Sequence, residues 1–408
     1  MLIAVAMIAA DFYLKNHDRV VFYGDSITEQ KLYTSYVESF VLTRYPDRDI
    51  TFFNRGWAGD SSWGGGGGGP HERISKDVKG LQPTKAVVLL GMNDGGYVGV
   101  DPKIESTIRQ WYPKVLDLLQ ALPGTPKLTL IRTSPWDDVA HHYASEGKPP
   151  EPWAPWKGYN TVLQTYGMIV EEQAKNRGAV YIDFNEPLVT LLKEAVQAKS
   201  SEAEKIIPDG IHPGPGGHLA MAAELLKGWN VEPTVSSLEI DSRTSSVVSF
   251  QRTTVKILDS LHWEQKDDSL PFIIPESDET VGLVRKLSRL NEQLNRQVLR
   301  ITHLPSGRYQ LTVDAHPVAT FSSEALEQGV NLADYSTPMS EQSLKVFDLC
   351  YRRSEVDFFA WRTVRRANAH AQHAAEAAEG VARLAEDMRT EAQKLAQPIP
   401  HKFKLTKM

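Results

Sequence analysis

The 408 residues contain one cysteine, Cys350. An intrachain disulfide is therefore impossible, and so is a cysteine-rich metal cage. Also missing is any apolar run of the ~20 residues that a bilayer-spanning helix takes. Residues 1–10 are apolar but too short, and they lack a basic leading region. They read as the end of a signal peptide, which would make the protein secreted or periplasmic, or else as a buried edge of a cytoplasmic fold. An excess of positive charge is lacking too. Lys and Arg number 45 against 51 Asp and Glu, for a net charge of −6. Nothing in this balance points to nucleic acid, and no membrane partner is expected. What is present is a globular composition, 41% apolar and 24% charged, long enough for about two or three domains.

Residues 19–30, Arg-Val-Val-Phe-Tyr-Gly-Asp-Ser-Ile-Thr-Glu-Gln, organise the rest. Val20 to Tyr23 are β-branched or aromatic and suit a buried strand. Gly24 permits a sharp turn, and Ser26 stands where the strand hands over to a helix. A hydroxyl there lies at the C-terminal edge of a parallel sheet, where open α/β folds place their ligands. Further strands are predicted at 50–54, 85–90, 128–132 and 179–183. Helices are predicted at 31–45, 71–81, 102–122, 158–177, 187–203 and 218–229. This alternation predicts a parallel sheet covered on both faces. Residues 64–69 are six consecutive glycines, read as a loop bent over the active site.

The texture changes near Val231. Short β-type runs at 237–241, 245–250, 254–258, 297–302 and 309–313, with one helix at 277–290, predict a small β-rich domain over 231–338. Residues 339–408 read as a helical segment. In it Val381, Leu384, Met388, Ala392 and Leu395 form an apolar stripe, expected to be a homo-oligomer seam or to lie back on the core. Arg352, Arg353, Arg362, Arg365 and Arg366 make a basic face that acidic neighbours would neutralise. His141, His142, His370 and His373 read as solvated, because no third ligand is placed near them.

Three more pieces fall at the edge that carries Ser26. Gly59 lies beyond the second strand, and its N–H can approach a ligand closely. Asn93 follows the third strand and carries a directional amide donor. The N–H groups of Ser26 and Gly59 and the Asn93 amide are candidates to converge on one developing oxyanion. Asp209-Gly210-Ile211-His212 follows the fifth strand and precedes a helix. Its carboxylate can orient its imidazole, which can take the Ser26 proton. Thr28 stands where the α/β-hydrolase nucleophile elbow needs glycine, so that architecture is not expected.

Gly24-Asp25-Ser26-Ile27, Gly59, Gly91-Met92-Asn93-Asp94 and Asp209-Gly210-Ile211-His212 together resemble the four blocks of the GDSL esterases, the SGNH hydrolase superfamily. The resemblance covers roughly residues 18–230. It implies a catalytic domain over 12–230 with a flavodoxin-like three-layer α/β/α sandwich on a five-stranded parallel sheet. It also implies Ser26, Asp209 and His212 as catalytic residues; Ser26, Gly59 and Asn93 as the oxyanion hole; and no metal. No cofactor is expected.

The family acts on several ester classes, so the substrate needs a separate argument. Trp57, Trp63, Tyr97, Trp136, Trp153 and Trp156 fall in loops expected at the catalytic edge, and flat rings bury sugar faces. Asp25, Asp60, Asp94, Asp137 and Asp138 are carboxylates placed to meet hydroxyls. The expectation is an O-acetyl esterase acting on carbohydrates. The alternatives are an aryl or lipid esterase and a non-catalytic carbohydrate-binding protein on a hydrolase scaffold.

Overall fold

The computed structural model describes residues 11–140, 158–259 and 261–408. Its first part alternates as predicted: β1 (Arg19–Gly24), α1 (Ser26–Glu29), α2 (Leu32–Arg44), β2 (Thr51–Gly56), α3 (Pro70–Arg73), β3 (Lys85–Leu89), α4 (Pro102–Gln120), β4 (Lys127–Arg132), α5 (Tyr159–Arg177), β5 (Val180–Asp183), α6 (Asn185–Gln197) and α7 (Pro215–Gly228). The five strands form one parallel sheet in the order β2-β1-β3-β4-β5. Val20, Val21, Phe22 and Tyr23 are all buried. A strand covered on both faces needs apolar residues at successive positions, which is why β1 reads as a run and not an alternation. Helices α4 and α5 pack together, as do α2 and α7. The strand order reverses at β1, flanked by β2 on one side and β3 on the other. The loops leaving β1 and β3 part there, the place where open α/β sheets bind their ligands.

The predicted helix at 71–81 is irregular. α3 passes into a π-helical turn, Ile74–Val78, and then a 3-10 turn, Lys79–Leu81. The glycine run is folded back on itself. Gly65 and Gly68 exchange two backbone hydrogen bonds, of 3.2 and 3.0 Å.

The rest of the chain adds β6 (Thr234–Asp241), β7 (Ser246–Gln251), β8 (Thr253–Asp259), β9 (His262–Asp267), α8 (Glu279–Leu287), α9 (Leu290–Leu294), β10 (Arg296–Thr302), β11 (Arg308–Val313), β12 (His316–Ser322), α10 (Ser323–Gln328), β13 (Val330–Asn331), α11 (Pro338–Phe358), α12 (Ala374–Leu395) and β14 (His401–Lys407). Two sheets, β13-β10-β6-β7 and β12-β11-β14-β9-β8, share a core that includes Leu238, Ile240, Trp263, Leu299, Leu311 and Phe403. Strand β9 was not anticipated, because its buried positions include Gln265 and Asp267. They are satisfied by one another and by Gln297, at 2.7 and 2.9 Å, so no hydrophobic alternation marks the strand. Asp314 and Ala315 make the turn from β11 to β12, both at positive φ. Pro317 sits beyond it on the edge strand β12, where a missing N–H costs little.

The helical reading of 339–408 needs two corrections. Residues 401–407 form β14, inserted between β11 and β9. Phe403 and Leu405 point inward and Lys402 and Lys404 outward, an alternation that the helical reading passed over. Within α12 the buried residues are Ala374, Ala378, Ala385 and Ala392, the last three spaced seven apart. The helix packs on α11, and Leu384 of the expected stripe is 52% exposed. Alanine at that spacing lets two helices approach closely within one chain. Helix α11 in turn lies on α2, with the buried Arg353–Glu38 ion pair at 2.6 Å between them. No helix among the described residues is long and apolar enough to cross a membrane.

Candidate active site

β1 ends at Gly24, where a Cβ would sit 2.2 Å from Thr28 Oγ1. Glycine alone allows α1 to begin at once. Asp25 caps it, its Oδ1 accepting the Ile27 N–H at 3.0 Å. Ser26 is thereby the first helical residue, half-exposed at the sheet edge.

The loop between α6 and α7 returns His212 to this point. Asp209 Oδ1 accepts the N–H groups of Ile211 and His212 at 2.9 and 2.6 Å, and its Oδ2 lies 2.7 Å from His212 Nδ1. His212 Nε2 lies 2.8 Å from Ser26 Oγ. Burial alone would raise the Asp209 pKa. The hydrogen bonds from His212 and the two backbone donors outweigh it and hold the carboxyl at about 2. The same Asp209 contact raises the His212 pKa above 6.5, against the opposing effect of burial. An ionised carboxylate, an imidazole and a hydroxyl are thus joined in series, the arrangement that lets the imidazole take up a hydroxyl proton.

The loops that carry the neutral donors leave the same sheet edge. Gly24 pairs in register with Gly56 and with Leu89, so the loops carrying Gly59 and Asn93 leave the sheet at the height of Ser26. The Trp57 N–H is spent on Gly24 O at 2.9 Å and the Ala58 N–H on Glu29. Gly59 follows at φ +75°, a conformation that favours glycine. Among the described residues, neither the Ser26 nor the Gly59 N–H has an acceptor. Asn93 Nδ2 donates to Asp60 O at 2.9 Å, and Tyr97 OH donates to Asn93 Oδ1 at 2.7 Å. Since Asp60 O can only accept, the amide is fixed, and its second N–H has no acceptor among the described residues.

Sequence reasoning assigned several other residues to substrate contact, and most of these are buried or packed against protein neighbours in the structure. Asp25, Asp60 and Asp94 are buried, with one carboxylate oxygen of each engaged, by Ile27, Arg73 and Ser62 respectively. Asp137 is buried as well and accepts from the N–H groups of Val139 and Ala140. Trp136 is 2% exposed, its indole donating to Asp138 at 2.8 Å. Trp57 is packed among Arg73, Trp361 and Arg362. Tyr97 stacks on Tyr159 and orients Asn93. Trp63 keeps an exposed ring, at 36%. Trp153, Trp156, His141 and His142 lie outside the described residues. The residue that sequence reasoning missed is Arg73. Fully buried, it binds Asp60 at 3.1 Å, Asp77 at 2.9 Å and Arg55 O at 2.8 Å. An arginine just past a glycine run carries no local signal of such burial.

Asp25 offers a stability test. Burial, aided by Asp94 and Asp60 and opposed by the Ile27 N–H and His212, pushes its pKa up to about 7. Between 3.8 and about 7 the unfolded chain releases this proton while the folded chain retains it. Stability therefore falls as pH rises through that window and levels off above it. Asn keeps the cap acceptor without ionising. The urea midpoint of Asp25→Asn, relative to wild type, is expected to rise between pH 5 and pH 8. A difference that does not change with pH would mean that Asp25 ionises normally.

Residues 22–220 match the GDSL-like lipase/acylhydrolase family. Among solved structures, a gut microbial diltiazem-metabolizing enzyme superposes with a TM-score of 0.82 at 23% identity, covering 97% of this chain and 98% of its own. The β-rich unit and the C-terminal helices thus belong to a fold seen whole elsewhere. An acetylxylan esterase from Geobacillus stearothermophilus gives a TM-score of 0.39 at 18% identity, over 54% of this chain and 97% of its own. An alpha/beta hydrolase enzyme from the metagenome of Lake Arreo, Spain, gives 0.40 at 17%, over 54% and 99%. No curated protein matches the sequence. A seryl hydroxyl, an imidazole and a carboxylate in series on a parallel sheet of this strand order, within the matched segment, make residues 22–220 of this chain a member of the GDSL-like lipase/acylhydrolase family, within the SGNH superfamily.

Proposed function

We propose that the protein is a serine esterase that hydrolyses short-chain esters, acetyl foremost, with O-acetyl groups on carbohydrates as the substrate class. The observation that carries this reading is the unbroken hydrogen-bond series from Asp209 through His212 to Ser26. Ser26 Oγ attacks the ester carbonyl while His212 Nε2 takes its proton. Asp209 stays ionised and stabilises the imidazolium. The tetrahedral oxyanion is met by the N–H groups of Ser26 and Gly59 and the free N–H of Asn93. His212 then returns the proton to the departing alcohol, leaving Ser26 acylated. Water, deprotonated by the same imidazole, releases the acid.

The choice of a short acyl group is supported by what surrounds Ser26. Asn93, His212 and the exposed Gly59 backbone are polar or small, and Tyr97 adds one ring whose hydroxyl is already engaged. Such surroundings suit an acetyl group on a hydroxyl-rich alcohol better than a long chain. Trp63, 36% exposed, is an aromatic that could offer a face to a sugar. Acetate release from acetylated xylo-oligosaccharides, alongside turnover of p-nitrophenyl acetate, is the expected result. Activity confined to long-chain acyl esters would remove the short-acyl assignment, and no hydrolysis of any ester would favour a binding protein.

A further inference from the structure

Six successive glycines have more backbone freedom than any sequence of their length, so the shape of 64–69 has to be imposed by neighbours. The neighbours come from the far end of the chain, outside the matched family segment. After α11 the helix widens into a π-helical stretch, Phe359–Arg366. Its Arg366 Nη2 donates to Gly67 O at 2.7 Å, and its Nε lies 3.1 Å from Asp77 Oδ1. The Trp361 indole donates to the same Asp77 oxygen at 3.0 Å. Asp357, just before, grips Arg55 of β2 with contacts of 2.7 and 3.3 Å. These contacts fall on the loop system that bears the oxyanion donors. From Asp77 the connection runs through the buried Arg73 to Asp60, whose carbonyl holds the Asn93 amide. From Gly67 it runs through the Gly65–Gly68 bridge, and Gly65 lies so close that a Cβ there would be 2.7 Å from Gly59 O. A Cβ on Gly67 would meet Arg73 at 2.5 Å and the Trp57 ring at 2.7 Å. The absence of side chains is what lets the guanidinium and the rings close around this loop.

We infer that Asp357, Trp361 and Arg366 hold the Gly59 peptide and the Asn93 amide at the place where the oxyanion forms, with Trp361 and Arg366 as positioning residues that act through Asp77 and Gly67. The inference rests on the esterase reading for its kinetic consequence, though not for its structural one. Trp361→Phe keeps the ring and removes one donor, whereas Arg366→Gln removes the charge. Turnover of p-nitrophenyl acetate is measured per site titrated to completion with a fluorophosphonate, together with the affinity for an alkylboronic acid that mimics the tetrahedral adduct. For each variant kcat is expected to fall ~10-fold and boronate affinity by the same factor, with KM within about twofold of wild type. Amide hydrogen exchange across residues 57–69 is expected to quicken in both variants while β1 is unaffected. Arg365→Ala, on an exposed neighbour, should change none of these. Unchanged kcat per site and boronate affinity in both variants would overturn the inference. So would unchanged exchange across 57–69, a readout that holds even for a protein that hydrolyses nothing. Failure of the esterase reading is recognised separately, by wild-type turnover no greater than that of Ser26→Ala.

Discussion

Ser26→Ala is expected to lower kcat for p-nitrophenyl acetate by ~10^4- to 10^6-fold, the range seen when a nucleophile of this kind is removed. The effect is this large because, in the proposed reaction, the serine oxygen is the atom that forms the covalent bond. No other hydroxyl is recorded within hydrogen-bond reach of His212 Nε2 among the described residues. The remaining activity would come from the donors of Gly59 and Asn93 acting on attack by water. Stability should hold within about 0.5 kcal/mol, because Ser26 is half-exposed and its loss opens no cavity. Kinetics and a urea midpoint on the same preparation separate the two effects. Equal rates for variant and wild type would rule out Ser26 as nucleophile.

Asp209→Asn is expected to cost ~10^4-fold in kcat near neutral pH, through the imidazole tautomer and not through lost geometry. The wild-type carboxylate can only accept, so His212 must carry its proton on Nδ1 and leave Nε2 free to take one from Ser26. An amide at 209 can donate to Nδ1, which moves the ring proton to Nε2 and removes the base. The pH profile carries a second signature. Catalysis needs neutral His212, and Asp209 raises the pKa of that ring above 6.5. The wild-type rate should therefore climb with pH through a midpoint above 6.5. In the variant that support for the imidazolium is gone while burial still opposes the charge, so the midpoint should move to lower pH. A profile of kcat/KM against pH for both proteins measures this. A wild-type midpoint below 6.5, or an identical midpoint in the variant, would contradict the assigned coupling.

The site and its surroundings differ in how far they could be read in advance. Ser26, Gly59 and Asn93 each stand just after a strand of a parallel sheet, and every such strand delivers its following loop to the same edge. Knowing where the strands end was enough to place those three on one rim, whereas Asp209 and His212 lie on the loop between α6 and α7. Which aromatic and acidic side chains face outward from that rim was not readable in this way. Trp57 and Trp136 have the composition of a sugar platform, but the first is packed against Trp361 and Arg362 and the second is buried, its indole donating to Asp138. Asp60 has the composition of a hydroxyl acceptor but is tied to Arg73. In the β-rich unit the apolar strands were legible. β9 was not, because its inward positions carry polar groups that satisfy one another.

By itself the sequence determined the strand-helix alternation, the five-residue constellation and the family resemblance. These depend on periodicity, on glycine at tight turns and on capping side chains, all of which act over a few residues. Only the tertiary structure decided that the chain end returns as β14, that the glycine run is moulded into a bridge, and that Asp77 is shared by Arg73, Trp361 and Arg366. Those features depend on partners brought together across long separations, 302 residues for Arg55 with Asp357 and 284 for Trp361 with Asp77. A buried charge carries no mark of its burial until the opposite charge has been packed against it.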